Sequence, residues 1–154
     1  MPNTTHVDVR GPRFAAWISS AVLIVTLLVS VISTTAAAVI LGLQAAVFAI
    51  TAWRGPRRGP YGLVFARVVA PRLGPVTERE PVSPLRFAQL VGLVFAAIGV
   101  VGFASGLTLL AVIATAFAFV AAFLNAAFGI CLGCQLYPFV ARLRSNQVSA
   151  LSTH

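Results

Sequence analysis

Two stretches of this chain, residues 14–53 and 87–141, contain no Asp, Glu, Lys or Arg. They are 40 and 55 residues long. A bilayer's hydrocarbon core of about 30 Å is crossed by roughly 20 helical residues. A single 40-residue helix would be about 60 Å long at 1.5 Å per residue, twice what is needed. Each stretch is therefore expected to form a hairpin of two spans. Turn residues agree: Ser33-Thr34-Thr35 interrupts the first stretch, and Gly102 with Ser105-Gly106 the second. Spans are expected at about 14–32, 36–53, 87–103 and 107–130, with a loop over 54–86. Trp17 and Trp53 then fall near interfaces, where amphipathic rings are favoured. The predicted fold class is an all-α membrane protein with four transmembrane helices as two helical hairpins. All of 1–154 is expected to be one integral membrane domain. Composition supports this: 59% of residues are apolar and 9% charged, and mean hydropathy is +0.96. Soluble domains carry about 25% charged residues, so an ordinary soluble enzyme is excluded.

The charges that remain are one-sided. All eleven basic residues are arginines, placed in the N-terminal segment, in 54–86 or after residue 141. An even number of spans puts these three regions on one side, and the positive-inside rule makes that side cytoplasmic. A cleaved signal peptide is the competing account of the first span, with Ala36-Ala37-Ala38 as a cleavage-type sequence. Its apolar stretch of about 19 residues exceeds the 7–15 of a signal, so a retained span is expected.

The two halves share a pattern. Arg13-Phe14-Ala15 opens the first hairpin and Arg86-Phe87-Ala88 the second, 73 residues later. Phe65-Ala66-Arg67 follows the first hairpin as Val140-Ala141-Arg142 follows the second, 75 residues later. Parallel repeats about an axis along the membrane normal would give this order. Gly59-Pro60-Tyr61 then corresponds to the region Gly133–Tyr137, and cysteines occur only in the second half.

The loop 54–86 holds six prolines and seven arginines. Within it, Tyr61–Val69 places Leu63, Val64, Phe65, Val68 and Val69 near one helical face, as a short interfacial helix would. Arg54, Arg57, Arg58, Arg67 and Arg72 are candidates for contact with lipid or a partner. The net charge of +8 is assigned to anionic lipid and topology, at about 1 kcal/mol per residue near the surface, and not to nucleic acid.

Ionisable groups within the spans are absent from the sequence, which argues against a proton pump or ion-coupled transporter. His6 and His154 lie in the tails and support neither a metal site nor a catalytic triad. What remains is Cys131-Leu132-Gly133-Cys134 after the last span. Residues three apart share a helical face, and Pro138 disfavours helix at Tyr137, so the motif falls at a break before a second short helix. Three chemistries fit these cysteines. A dithiol/disulfide pair facing a reducing cytosol would be catalytic or sensing. A metal site needs four ligands, so two chains of a symmetric dimer would have to share it. Plain packing of small apolar side chains at a helix end is the third. Gln44 and Asn125 are expected to make interhelical hydrogen bonds. Ala114, Ala118, Ala122 and Ala126, with Gly102-x-x-x-Gly106, read as close helix packing.

Three segments carry a resemblance: Arg-Gly-Pro-Arg-Phe-Ala-Ala at 10–16, Arg-Phe-Ala-Gln-x-Val-Gly-Leu-Val-Phe at 86–95, and the stretch from Phe123 through Cys131 and Cys134 to Tyr137. In these the chain resembles an uncharacterised bacterial, largely actinobacterial, membrane family, domain of unknown function 4395. The resemblance implies a four-span protein of the bacterial cell membrane with a C-x-x-C, often encoded near thioredoxin-like proteins and thiosulfate sulfurtransferases. The positions matching its motif are Asn125, Cys131, Gly133, Cys134 and Tyr137. No cofactor comes with it. In plan the chain is also similar to the vitamin K epoxide reductase type, a four-helix quinone-linked thiol enzyme. There the motif faces outward with partner cysteines, whereas the arginines here place it inward and alone. The function expected is thiol/disulfide exchange with a cytosolic thioredoxin-like or sulfurtransferase partner. The alternatives are a scaffold that docks a cytosolic enzyme through the arginine-rich loop, or a dimeric four-thiolate metal site.

Overall fold

A computed structural model describes residues 6–75, 79–128 and 138–145. Four long apolar helices dominate it: α1 (Arg10–Ser30), α2 (Thr34–Arg54), α4 (Val82–Ser105) and α5 (Thr108–Phe128). Between them lie a short helix α3 (Pro60–Val64), a π-helical turn Phe65–Val69 and a 3-10 turn Ala70–Arg72. A further helical segment, α6, covers the described residues 138–145 and is exposed throughout. Helices of 21 residues are about 31 Å long at 1.5 Å per residue, matching the hydrocarbon thickness. The protein is a multi-pass, all-α membrane protein with the expected two hairpins and short central helix.

The helices overrun the charge-defined boundaries at the loop end. α1 starts at Arg10 instead of 14, and α4 at Val82 instead of 87. Charge marks where hydrocarbon stops, whereas the helix continues into the headgroup layer, where arginine is hydrated. At the other end the turns are tight. Ser33 caps α2, its Oγ accepting from the Ala36 N–H at 3.1 Å. Gly106 joins α4 to α5 at φ +87°, a conformation that costs glycine little.

Neighbouring helices in the bundle run α1–α2–α4–α5 and back to α1. α1 therefore stands diagonally opposite α4, and α2 opposite α5, as an axis along the membrane normal requires of a parallel repeat. Burial follows the same relation. Leu23 and Ala96, 73 residues apart, are both fully buried, as are the pairs Ala37/Ala111 and Leu41/Thr115, each 74 apart.

Burial is sparse, and small side chains surround the few large ones, Leu23, Leu41, Phe48 and Phe103. No more than 28% of the apolar window of any span is buried against protein. The interior holds Ala37, Ala96, Ala111, Ala118, Thr26 and Thr115, while Leu28, Leu43, Val101 and Leu109 face outward. Lipid tails are as apolar as leucine, so helices gain most by close approach through small residues. Gly102 shows it: a Cβ there would lie 2.8 Å from the Ala111 Cβ. Gly106 belongs instead to the turn with open space around it, so the expected Gly102/Gly106 packing pair reduces to Gly102.

One feature carries no periodic signal in the sequence. The strand β1 (His6–Asp8) pairs antiparallel with β2 (Arg79–Pro81), Val7 opposite Glu80. The pair ties the N-terminal segment to the end of the central loop. Asp8 accepts from the Arg10 backbone N–H at 3.0 Å and from its guanidinium Nη2 at 2.8 Å. Arg10 Nη2 also donates to the Gly74 carbonyl at 3.1 Å.

Two glycine substitutions separate contact from propensity. Gly102→Ala drives a methyl group into α5 and is expected to destabilise the bundle by about 1–3 kcal/mol. Gly42→Ala, with nothing within 4 Å, is expected to be neutral or stabilising by up to about 1 kcal/mol. Equilibrium unfolding in micelles checks both, and equal stability of the two variants would contradict the packing.

Candidate functional site

The interior of the bundle holds buried polar side chains at Ser19, Ser20, Thr26, Gln44, Thr51 and Thr115. Gln44, on α2, is 1% exposed. Its Nε2 donates to Ser19 Oγ on α1 at 3.1 Å, and its Oε1 accepts from the Tyr61 hydroxyl at 2.7 Å. The expected interhelical bond of Gln44 is thus present, with a second partner from outside the spans. A carboxamide in hydrocarbon is costly unless both its ends are satisfied. Other buried hydroxyls are satisfied within their own helices: Ser20 donates to the Ala16 carbonyl at 2.7 Å and Thr115 to Ala111 at 2.7 Å. Among the described residues no buried side-chain nitrogen or oxygen lacks a partner.

Local sequence places Tyr61. α2 ends where Gly55 adopts φ +94°, and Gly59-Pro60 starts α3 with proline in its first turn. The chain doubles back beneath the bundle. Phe65 is buried there, its ring 5.8 Å from that of Phe14 on α1, while Leu63, Val64 and Val68 stay exposed. The central segment is therefore interfacial on one side and anchored to the bundle on the other. Partial burial raises the pKa of the Tyr61 hydroxyl above its ordinary value of 10.

Beside this hook, a cavity of about 270 Å³ opens among the four long helices. Ser19, Gln89 and Asn125 supply its polar lining, Phe48, Phe95 and Phe117 its aromatic walls, and Ala118 and Ala122 its floor. Among the described residues that line it none is ionisable. Asn125, expected to bond between helices, is found lining this space. Ser19, Gln89 and Tyr61 were not singled out as site residues by the sequence. Their signal was slight: two small polar side chains within apolar runs, and a tyrosine after a Gly-Pro turn.

Of the other expected site residues, Cys131, Gly133, Cys134 and Tyr137 lie outside the described residues. The arginines form a separate surface. Arg54, Arg57, Arg58, Arg67 and Arg72 are all exposed at the loop end. Arg57 lines a second, shallower cavity of about 200 Å³ together with Asp8, Pro56 and Phe65. The Arg86 guanidinium lies over Gly55 at the C-terminus of α2, where helix carbonyls favour a cation. Among the described residues no three His, Cys, Asp or Glu side chains cluster as metal ligands.

The family described as domain of unknown function (DUF4395) matches residues 7–142, and the chain belongs to it. No curated protein and no solved structure matches the chain.

The hook generates a pH-dependent prediction. A tyrosine whose folded pKa is raised holds its proton more tightly when folded, so this contribution is present below about pH 10. It is lost as pH rises through the folded pKa. Thermal stability in micelles should therefore fall above about pH 10. In Tyr61→Phe that fall should shrink, with a loss of about 1 kcal/mol at neutral pH from the missing hydrogen bond. An unchanged alkaline fall in the variant would contradict the role given to Tyr61.

Proposed function

We propose that this protein is a thiol/disulfide redox component of the bacterial cytoplasmic membrane, with both termini, the loop 54–86 and the C-x-x-C on the cytoplasmic side. The observation that carries this reading is chain order. The two cysteines follow the loop-end terminus of α5 at Phe128 and precede the exposed helix α6. They therefore adjoin, in sequence, the arginine-bearing end of the bundle. Arg142 and Arg144 on α6 are exposed, and nearby cations favour thiolate, the reactive form.

Exchange proceeds by attack of one thiolate, at Cys131 or Cys134, on a disulfide of a soluble thioredoxin-like protein. A mixed disulfide forms and one partner thiolate leaves. The second cysteine of the pair then attacks that mixed disulfide, releasing the other partner thiolate and closing the Cys131–Cys134 bond. The partner is reduced by two electrons and this protein oxidised by two; the reverse sequence reduces the pair. A sulfurtransferase persulfide presents a sulfur–sulfur bond to the same chemistry. Attack on its outer sulfur leaves a cysteine persulfide here, and the second cysteine displaces hydrosulfide from it.

A second reading rests on the five exposed arginines at the loop end: a scaffold holding a cytosolic enzyme at the bilayer. It predicts that function survives Cys131→Ser/Cys134→Ser and fails when the loop arginines are replaced, the reverse of the first reading.

The direct test is trapping. Either Cys134→Ser or Cys131→Ser should accumulate a mixed disulfide with a cytosolic thiol protein, released by reductant. Alkylation of the unsubstituted protein should also be redox-dependent. Failure of both single variants to capture a partner, with alkylation indifferent to redox state, would overturn the proposal.

A further inference from the structure

We propose that the cavity among the four long helices is a binding site for an uncharged, lipid-dissolved ring carbonyl compound, a quinone or cyclic ketone head group. This inference stands apart from thiol exchange, because the described residues that line the cavity carry no thiol.

The space arises where the two halves of the repeat differ. At the 74-residue offset, Gln44 corresponds to Ala118 and Phe48 to Ala122. In the first half the glutamine, held by Ser19 and Tyr61, and the phenylalanine fill the volume. In the second half the two alanines leave it open and form the cavity floor. Side chains around an unfilled volume forfeit dispersion contacts on one side, and an occupant of the right shape restores them.

The lining selects the occupant. With no ionisable group among the described lining residues, a charged ligand would be buried there without a counter-charge, which is strongly unfavourable. The carboxamides of Gln89 and Asn125 both offer N–H donors. Ser19 Oγ already accepts from Gln44, leaving its own proton to donate. Donors in an otherwise apolar lining suit carbonyl oxygens. The aromatic lining suits a flat ring: Phe95 and Phe117 pack on each other, centroids 6.1 Å apart at 33°, as one wall, and Phe48 adds another ring. Phe117 is 61% exposed, so the cavity reaches the lipid-facing surface there, and an apolar tail can leave past it into the bilayer. At about 270 Å³, just under the usual 300–1,000 Å³ of drug-sized pockets, the space accepts a ring system and not a whole lipid.

Trp17 reports on the site. It follows the lining residue Ala16 and packs edge-on to Phe123, with ring centroids 6.0 Å apart. In a Trp53→Phe protein it is the sole tryptophan. Adding Cys131→Ser/Cys134→Ser removes thiol chemistry, so failure here and failure of thiol exchange are distinguishable. Titration in micelles with 2-methyl-1,4-naphthoquinone should quench Trp17 saturably. Gln89→Leu/Asn125→Leu should weaken that binding at least tenfold, and Ala121→Phe, filling the cavity, should abolish saturation. In the unsubstituted cavity, 2-methylnaphthalene, the same ring without carbonyls, should compete at least tenfold less well. That comparison needs no cavity variant to fold. Linear quenching without saturation, or equal competition by the hydrocarbon, would overturn the proposal.

Discussion

Arginine at the centre of a bilayer costs about 2.5–3.5 kcal/mol on insertion scales, and this chain carries eleven arginines. Their confinement to one end of the bundle determines nearly everything else. Between the arginine clusters the backbone has no water to bond with, so each crossing must satisfy its own amides as a helix. Four crossings return every cluster to the same end, and the opposite turns are left short and uncharged. The same constraint explains why α1 and α4 begin outside hydrocarbon, at Arg10 and Val82.

Inside the membrane the usual hydrophobic drive between helices is missing, so packing relies on closeness. Ala111 against Gly102, and Leu23 and Ala96 at equivalent positions, let backbones approach. Hydroxyls such as Thr26 and Thr115 are absorbed by carbonyls of their own helix. Gln44 is the exception. It bonds to a neighbouring span through Ser19 and, through Tyr61, to a segment that lies outside the spans. That contact fixes the central loop beneath the bundle, and with it the exposed arginines.

The spans were legible in the sequence because charge marks the edge of hydrocarbon directly. The repeat was legible from Arg-Phe-Ala at 13–15 and 86–88, and the diagonal placement of α1 and α4 agrees with it. The Tyr61–Gln44 bond was not, since it depends on how Gly55, Gly59 and Pro60 turn the chain back, which no periodicity encodes. Nor was the β1–β2 pair, whose three-residue strands are too short to alternate visibly. The cavity escaped notice for another reason. Alanines at 118 and 122 look like ordinary close packing until Gln44 and Phe48 are seen at the equivalent positions. Cys131 and Cys134, by contrast, stood out by spacing alone.

The halves thus share a plan and diverge in chemistry: Gln44 and Phe48 of the first stand where the second has the alanines of the cavity, and only the second carries cysteines. This account rests on which face of the membrane the arginines occupy. The most direct test is a set of compartment-specific reporter fusions in cells, after Ser33, Arg72, Gly106 and Arg144. Reporters after Arg72 and Arg144 should signal cytoplasm, and those after Ser33 and Gly106 the outside. A reporter after Arg144 that signals the outside would contradict the orientation and put the cysteines beyond the reach of any cytosolic partner.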